Sequence, residues 1–261
     1  MIPGTWPLNT LLAAVDRIPL NDGAVRPPFY GALLLLGLAG SLWWWMRLAR
    51  RDERLLLLWA IALVSAFLGG KLGYLLAEGW LDYGQPDVWQ RWLTGKTIVG
   101  ALLGGYAGVE WGKRLLRYRT VTGDWFAFVV PAGIALGRVG CWLQGCCLGQ
   151  ICATPHWWTV ADTHGLPRWP AVPLELGFNV AAILLFAVLR WSHRLPGQHF
   201  HLYLMAYGLF RFVHESWRDT PRILGPLSGY AVMSLGLIIL GGVRFVQRQR
   251  ALAGEASGGS R

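Results

Sequence analysis

Apolar runs close to the length of a lipid-crossing helix recur along almost the whole chain, and that recurrence leaves few folds open. They fall at about Phe29–Met46, Leu55–Ala77, Thr97–Gly112, Trp125–Leu143, Val172–Leu189, Phe200–Val213 and Leu227–Phe245. A helix needs about 20 residues to cross the hydrocarbon of a bilayer. Most of these runs are long enough; the third and sixth are marginal and read as short, tilted or shielded spans. Inside lipid every backbone N–H and C=O must be paired within the protein, which admits only helices and closed barrels. The expected fold is therefore all-α, a polytopic transmembrane helical bundle of about seven spans. Composition agrees: 15% of the 261 residues are charged and 54% are hydrophobic, against about 25% charged in a soluble domain.

The basic residues set a direction. Arg47, Arg50, Arg51 and Arg54 follow the first run, Lys113, Arg114, Arg117 and Arg119 the third, Arg190 and Arg194 the fifth, and Arg244, Arg248, Arg250 and Arg261 the last. These connections outweigh the opposite set, which holds Arg17, Arg26, Arg91, Lys96, Arg168, Arg218 and Arg222. The positive-inside rule then places the N-terminus outside and the C-terminus in the cytoplasm. An odd number of spans requires the same split. The net charge of +10 lies in these short clusters, so it reads as topology and contact with anionic lipid; no nucleic-acid partner is expected.

Three segments are expected: an outer or interfacial N-terminal stretch over 1–28, a membrane domain over 29–246, and a flexible cytoplasmic tail over 247–261. The N-terminal stretch lacks a basic region and is broken by Pro3, Pro7 and Pro19, unlike a cleaved signal peptide. Trp6 is a candidate headgroup anchor. Two long outer connections, about 78–96 and 144–171, are rich in Trp and contain Pro, and read as an outer-face region of ordered loops or interfacial helices. The glycines of the third run suit close helix packing.

Charge at membrane depth is costly and needs a reason. Arg138 lies toward the outer end of span four, Glu175 toward that of span five, and Arg211, Glu215 and Arg218 toward that of span six; Lys71 and Glu78 end span two. Arg211 and Glu215 are four residues apart and share a helix face, and Glu215 and Arg218 are also neighbours. Two readings stay open. The charges neutralise one another, Arg211 with Glu215 and Glu175 with Arg138, or the arginines hold a lipid phosphate, whose oxygens match guanidinium forks. Gly137, Gly140, Gly145 and Gly149 bracket Arg138, where glycine permits close backbone approach to a ligand or simply helix packing and a turn.

Cys141, Cys146, Cys147 and Cys152 fall within twelve residues in a C-x4-C-C-x4-C pattern, which is not a usual zinc spacing. They read as small buried hydrophobes, as a loop disulfide on the oxidising side, or as a reactive thiol. No metal or other cofactor is expected. His199 and His201 read as interfacial, His156 and His164 as loop residues. His214 is placed beside Glu215 but on a different face from Arg211, with a surface role.

The run GRVGCWLQGCCLG, residues 137–149, resembles the signature of the prolipoprotein diacylglyceryl transferase family, approximately G-R-[IL]-G-N-F-x-N-G-E-x-x-G. Other segments follow in the family's order. Tyr30-Gly31 resembles its Tyr-Gly start, GGKLGYLL its Gly-Arg-Leu-Gly-Tyr with Lys71 in the basic place, and GKTIVGALLGG its His-Gly-Gly-Leu-Ile-Gly. WPAVPLELGFN resembles its His-Pro-x-Gln-Leu-Tyr-Glu with Glu175 in the acidic place, and YGLFRFVHESWRDTP its Tyr-Gly…Arg-Phe-x-x-Glu-x-x-Arg. The resemblance covers about 28–245.

It implies a multi-pass protein of the bacterial plasma (inner) membrane, acting in lipoprotein biosynthesis. Such an enzyme moves the diacylglyceryl group of phosphatidylglycerol onto the lipobox cysteine thiol of a pre-lipoprotein, and glycerol phosphate leaves. By resemblance, Arg138, Arg211 and Glu215 are catalytic, the arginines on the phosphate and Glu215 orienting Arg211. Tyr30, Gly137, Gly140, Gly149, Glu175 and Arg218 are substrate-binding. Phosphatidylglycerol, the pre-lipoprotein signal peptide and membrane lipids are the implied partners. The sequence departs from the pattern at Val99 for the family's histidine, at Cys141 and Gln144 for its two asparagines, at Cys146 for its glutamate, and at Trp169 and Val172. A second reading is therefore kept, a divergent phospholipid-binding or lipid-handling membrane protein with a different acceptor or none.

Overall fold

Long apolar helices are what the recurrent runs produce. The computed structural model describes residues 29–162 and 164–258, with side chains described for 31–162 and 164–253. The expectations for 1–28, with Trp6 as an anchor, and for the Tyr30 side chain lie outside the described residues. The elements are α1 (Phe29–Ala49), α2 (Arg54–Ala77), a 3-10 turn (Gly79–Asp82), α3 (Val88–Thr94), α4 (Ile98–Leu115), α5 (Gly123–Gln144), β1 (Val160–Ala161), β2 (Pro167–Arg168), α6 (Ala171–Trp191), α7 (His199–His214), a second 3-10 turn (Glu215–Trp217) and α8 (Gly229–Gly258). The last helix runs past residue 246, the expected end of the membrane domain.

Five of these helices are long and apolar enough to cross a membrane: Gly31–Ala49, Arg54–Ala77, Gly123–Gln144, Ala171–Trp191 and Gly229–Ala253. Their outward faces are apolar. Leu35, Leu36, Phe67, Leu76, Leu184 and Ile239 are all exposed, a surface that a water-soluble monomer rarely carries. The protein is an all-α, multi-pass membrane protein. The remaining two expected spans correspond to α4, which carries Glu110, Lys113 and Arg114 within its 18 residues, and to α7, which has only 16 residues.

The chain divides into two compact units. The first takes in the described residues of 29–40, 131–181 and 217–219. It is organised by the end of α5, the start of α6 and the connection between them. The described residues of that connection carry a short two-stranded sheet and a run of aromatic contacts. β1 and β2 pair antiparallel, Val160 with Arg168 and Ala161 with Pro167. Gly149 and Arg218 form an isolated antiparallel bridge. His156, Trp158, Trp169 and Trp217 stack in succession, with ring centroids 4.8, 4.5 and 5.4 Å apart.

The second unit takes in Ser41–Val130, Ala182–Ser216 and the described residues of 220–258. Its tightest packing is between α2 and α4. Gly100, Gly104, Gly108 and Gly112 recur every fourth residue and so line one ridge of α4. The first three meet Ser65, Gly69 and Gly73, which recur likewise on α2, and Gly112 meets Leu58 and Ile61. A Cβ on Gly69 would sit 2.7 Å from the Gly104 Cα, and one on Gly73 would sit 3.0 Å from the Gly100 Cα. Lipid supplies no hydrophobic drive between helices, so such bare ridges, which let backbones approach, are what joins them. Gly208 and Gly241 play the same part between α7 and α8. A core of Trp45, Leu58, Phe186, Tyr203, Leu204, Tyr207 and Leu237 is fully buried.

Candidate functional site

Among the described residues, each unit holds a buried arginine–glutamate pair. In the first, Arg138 lies one and a half turns before the end of α5 and Glu175 lies in the second turn of α6. Pro170 and Pro173 flank the start of α6, where a missing N–H costs nothing because that turn has no intrahelical acceptor. One guanidinium nitrogen, Arg138 Nη2, donates to Glu175 Oε1 at 3.1 Å and lies 3.0 Å from Oε2. The Arg138 side chain is 7% exposed and that of Glu175 0%. The neighbouring Asn179, also buried, donates to the Glu175 carbonyl at 2.7 Å. Arg138 Nη1 donates to the Cys141 sulfur at 3.7 Å.

In the second unit, Arg211 and Glu215 close one helical turn at the end of α7, with Nη2 to Oε2 at 2.9 Å. Arg211 Nη1 lies 3.0 Å from His214 Nδ1. A guanidinium can only donate, so Nδ1 accepts and the imidazole proton sits on Nε2. Thr220 Oγ1 donates to Glu215 Oε1 at 2.6 Å, and Arg222 Nη2 to the Glu215 carbonyl at 3.2 Å. The carboxylate is thus held from the helix on one side and the following loop on the other. In the same unit Tyr230 hydrogen-bonds Glu78, and Lys71 Nζ donates to the Trp92 carbonyl at 2.9 Å and to that of Leu93.

One histidine differs from expectation. His214 is not a surface residue on another face. It is fully buried and touches Arg211, because residues three apart on a helix are neighbours; it also stacks on Phe210 with centroids 4.8 Å apart. His199 is buried within the protein, with Nε2 2.8 Å from the Arg194 carbonyl and Nδ1 3.5 Å from Asp124. His156 and His164 are exposed loop residues. Val99, at the family's histidine position, is fully buried on α4.

The glycines take distinct places. Gly137 is open: the nearest atom to a Cβ there would be Leu34 Cδ1's partner methyl, Cδ2, at 4.0 Å. Gly140 is buried. Gly149 is closed by Trp169, whose carbonyl oxygen would be 2.5 Å from a Cβ. Its need for glycine is met by the protein itself. Arg218 is half-buried and anchored through its backbone. Its carbonyl accepts from Gln150 Nε2 at 3.0 Å, and the Gln150 N–H donates to the Trp217 carbonyl at 2.9 Å. Arg168 ties the same loop, donating to Asp162 Oδ2 at 2.7 Å and to the Gly149 carbonyl at 3.2 Å. The Arg168 guanidinium holds the Asp162 carboxyl below the usual carboxylate range.

The end of α5 gathers sulfur. The Gly145 N–H donates to the Trp142 carbonyl and the Cys146 N–H to the Cys141 carbonyl, both at 3.0 Å. With Gly145 left-handed at φ 65°, this is a Schellman cap, which brings the residue after the glycine against the one five before it. Those residues are Cys146 and Cys141. Cys147 then adopts a left-handed φ of 60°, and the three sulfurs lie within 4.8 Å of one another. All four cysteines are free thiols, with Cys152 buried apart from this group. Hydrogen bonds from Cys141 and Cys146 hold the Cys147 thiol below its ordinary range.

Two buried guanidinium–carboxylate pairs in a chain with five helices long and apolar enough to cross a bilayer define the class as a multi-pass membrane protein with charge held inside its helical units. The sequence model of the prolipoprotein diacylglyceryl transferase family matches residues 21–247, and the chain belongs to that family. It is 30% identical over 257 residues to the phosphatidylglycerol–prolipoprotein diacylglyceryl transferase of Mannheimia succiniciproducens, covering 90% of this chain and 93% of that protein. The protein of the same name from Vibrio vulnificus is 30% identical over 86% of both chains. That from Pseudomonas aeruginosa is 29% identical over 86% of this chain and 88% of its own.

Proposed function

We propose that the protein transfers the diacylglyceryl group of phosphatidylglycerol to the cysteine thiol of a pre-lipoprotein, in lipoprotein biosynthesis at the bacterial inner membrane. The observation that carries this reading is the pair of buried arginine–glutamate contacts, Arg138–Glu175 and Arg211–Glu215, on the family's own motifs. The reaction breaks the bond from the glyceryl carbon to its phosphate oxygen and forms a carbon–sulfur bond, while the thiol gives up its proton. A phosphodiester with one negative charge becomes a phosphomonoester with nearly two at about pH 7. Charge therefore grows on the leaving group, and fixed guanidinium groups in a poorly solvated setting stabilise it without reorganising.

Arg138 and Arg211 are assigned to that charge, and Glu215 to orienting Arg211. Glu175 and Arg218 are assigned to substrate binding, together with Tyr30, Gly137, Gly140 and Gly149. The orientation assigned is N-terminus out and C-terminus in, with seven crossings, a membrane domain over 29–246, an outer segment over 1–28 and a cytoplasmic tail over 247–261. The basic connections support it.

A second reading, a phospholipid-handling protein without this transfer, is favoured by Val99, an apolar and fully buried residue at the family's histidine position. Complementation of a strain depleted of its diacylglyceryl transferase separates the two. The expected result is growth, with the diacylglyceryl mass increment on lipoproteins. Phosphatidylglycerol binding without that increment or glycerol phosphate release overturns the transferase reading in favour of the second.

A further inference from the structure

We infer that Cys141, Cys146 and Cys147 form a binding site for one thiophilic metal ion of the Zn2+ or Cu(I) kind. The inference is independent of the transferase reading. Three sulfurs lie within 4.8 Å of one another. Thiolates bonded to a d10 ion at about 2.3 Å stand about 4 Å apart, so closing the site takes side-chain adjustment and no refolding.

Backbone geometry builds this convergence. The Schellman cap alone accounts for one contact, Cys141 with Cys146, which in most proteins is an ordinary apolar contact. It does not account for the third sulfur. Cys147 joins only because it occupies the left-handed region at φ 60°, which costs a non-glycine residue on the order of 1–2 kcal/mol. A surface turn in need of that conformation would be better served by glycine. The cysteine there adds a thiol at the one place where it meets the other two.

The surroundings suit a metal–thiolate centre. Cys141 is buried, Cys146 half-buried and Cys147 exposed. The site thus has a buried floor and an open side through which an ion and a further ligand can enter. Arg138 donates to the Cys141 sulfur at 3.7 Å, the outer-shell hydrogen bond that orients a ligand and steadies its negative charge. Soft thiolates select Zn2+ and Cu(I) over Mg2+ or Ca2+. Cys152 is outside the cluster and serves as an internal control.

The test uses the full chain, purified in detergent under reducing conditions and loaded separately with Zn2+ and with Cu(I). Bound metal is counted by mass spectrometry after desalting, and Co2+ serves as a spectroscopic probe. The expected result is one ion per chain, in at least one arm, with thiolate-to-cobalt charge-transfer absorption. Cys147→Gly relaxes the left-handed residue while deleting its sulfur. It should keep the helical content and thermal stability of the parent and weaken metal binding at least about tenfold. Cys152→Ser should bind as the parent does. The inference is overturned if neither ion is retained, if Cys147→Gly binds as the parent does, or if Cys152→Ser loses binding equally. It is also overturned if the chain isolated from cells, alkylated before reduction, carries a disulfide within the trio.

Discussion

The two arginine–glutamate pairs reach the same chemistry by opposite routes. Arg211 and Glu215 are local, one helical turn apart, and their geometry is supplied by the helix that carries them. Arg138 and Glu175 come from different helices, 37 residues apart, and meet only when α5 and α6 pack. The local pair is richly supported: His214 offers Arg211 a second acceptor and Thr220 donates to Glu215. Around the long-range pair, Asn179 donates to the Glu175 carbonyl and Arg138 to the Cys141 sulfur. A local pair survives loosening of the bundle, whereas a long-range pair reports on it.

The largest effect that sharpens this contrast concerns activity. Arg138→Ala and Arg211→Ala should each lower diacylglyceryl transfer at least about 100-fold, the size of losing one preorganised charge-stabilising donor. Glycerol phosphate release from phosphatidylglycerol-containing membranes measures it. Activity retained in both variants would remove the proposed roles.

Stability is the next level. Glu175→Ala leaves the Arg138 charge buried and separates two helices, at a cost of about 3–5 kcal/mol. Glu215→Ala should cost about 1–2 kcal/mol less, because its partner is on the same helix end and no helix pair is parted, and Arg211 keeps its contact to the His214 nitrogen. Unfolding of the two variants in the same detergent measures the gap, and a reversed order breaks the comparison. His214→Phe keeps the stacking on Phe210 but deletes the acceptor, and should destabilise by about 1–3 kcal/mol. His214→Gln should recover part of that loss.

The smallest effect lies in the loop. The Asp162 carboxyl is held below its usual range by Arg168. Its contribution is therefore fully present above the ordinary carboxylate value of about 3.9 and is lost as pH falls through the lowered value. Hydrogen exchange in 160–168 should quicken in that acid window beyond its intrinsic pH dependence. Asp162→Asn should abolish the excess.

Much of the fold was legible because membrane helices advertise themselves by length and apolar continuity, and five of the expected runs meet both criteria. The glycine ridge of α4 was legible for a similar reason, since its four-residue spacing is a periodicity. Arg211 with Glu215 could be read from spacing, while Arg138 with Glu175 emerged only as one option until the helices were seen to meet. His214 was misplaced although its spacing from Arg211 was in plain view; a strict three-and-four neighbour rule would have found it. The sulfur cluster was beyond reach of spacing rules. It depends on two left-handed residues in three, and only Gly145 signals that conformation in its side chain.

The bare contact between α2 and α4 has a consequence for how this protein can change over time. Where backbones touch, any added carbon must displace a helix, so Gly69, Gly100 and Gly104 form a frozen seam. The lipid-facing edge, with Leu72 and Leu76 exposed, can exchange one hydrocarbon for another at little cost. A saturation library across 61–112 would therefore resemble a barcode, with intolerant bars every fourth position separated by permissive gaps.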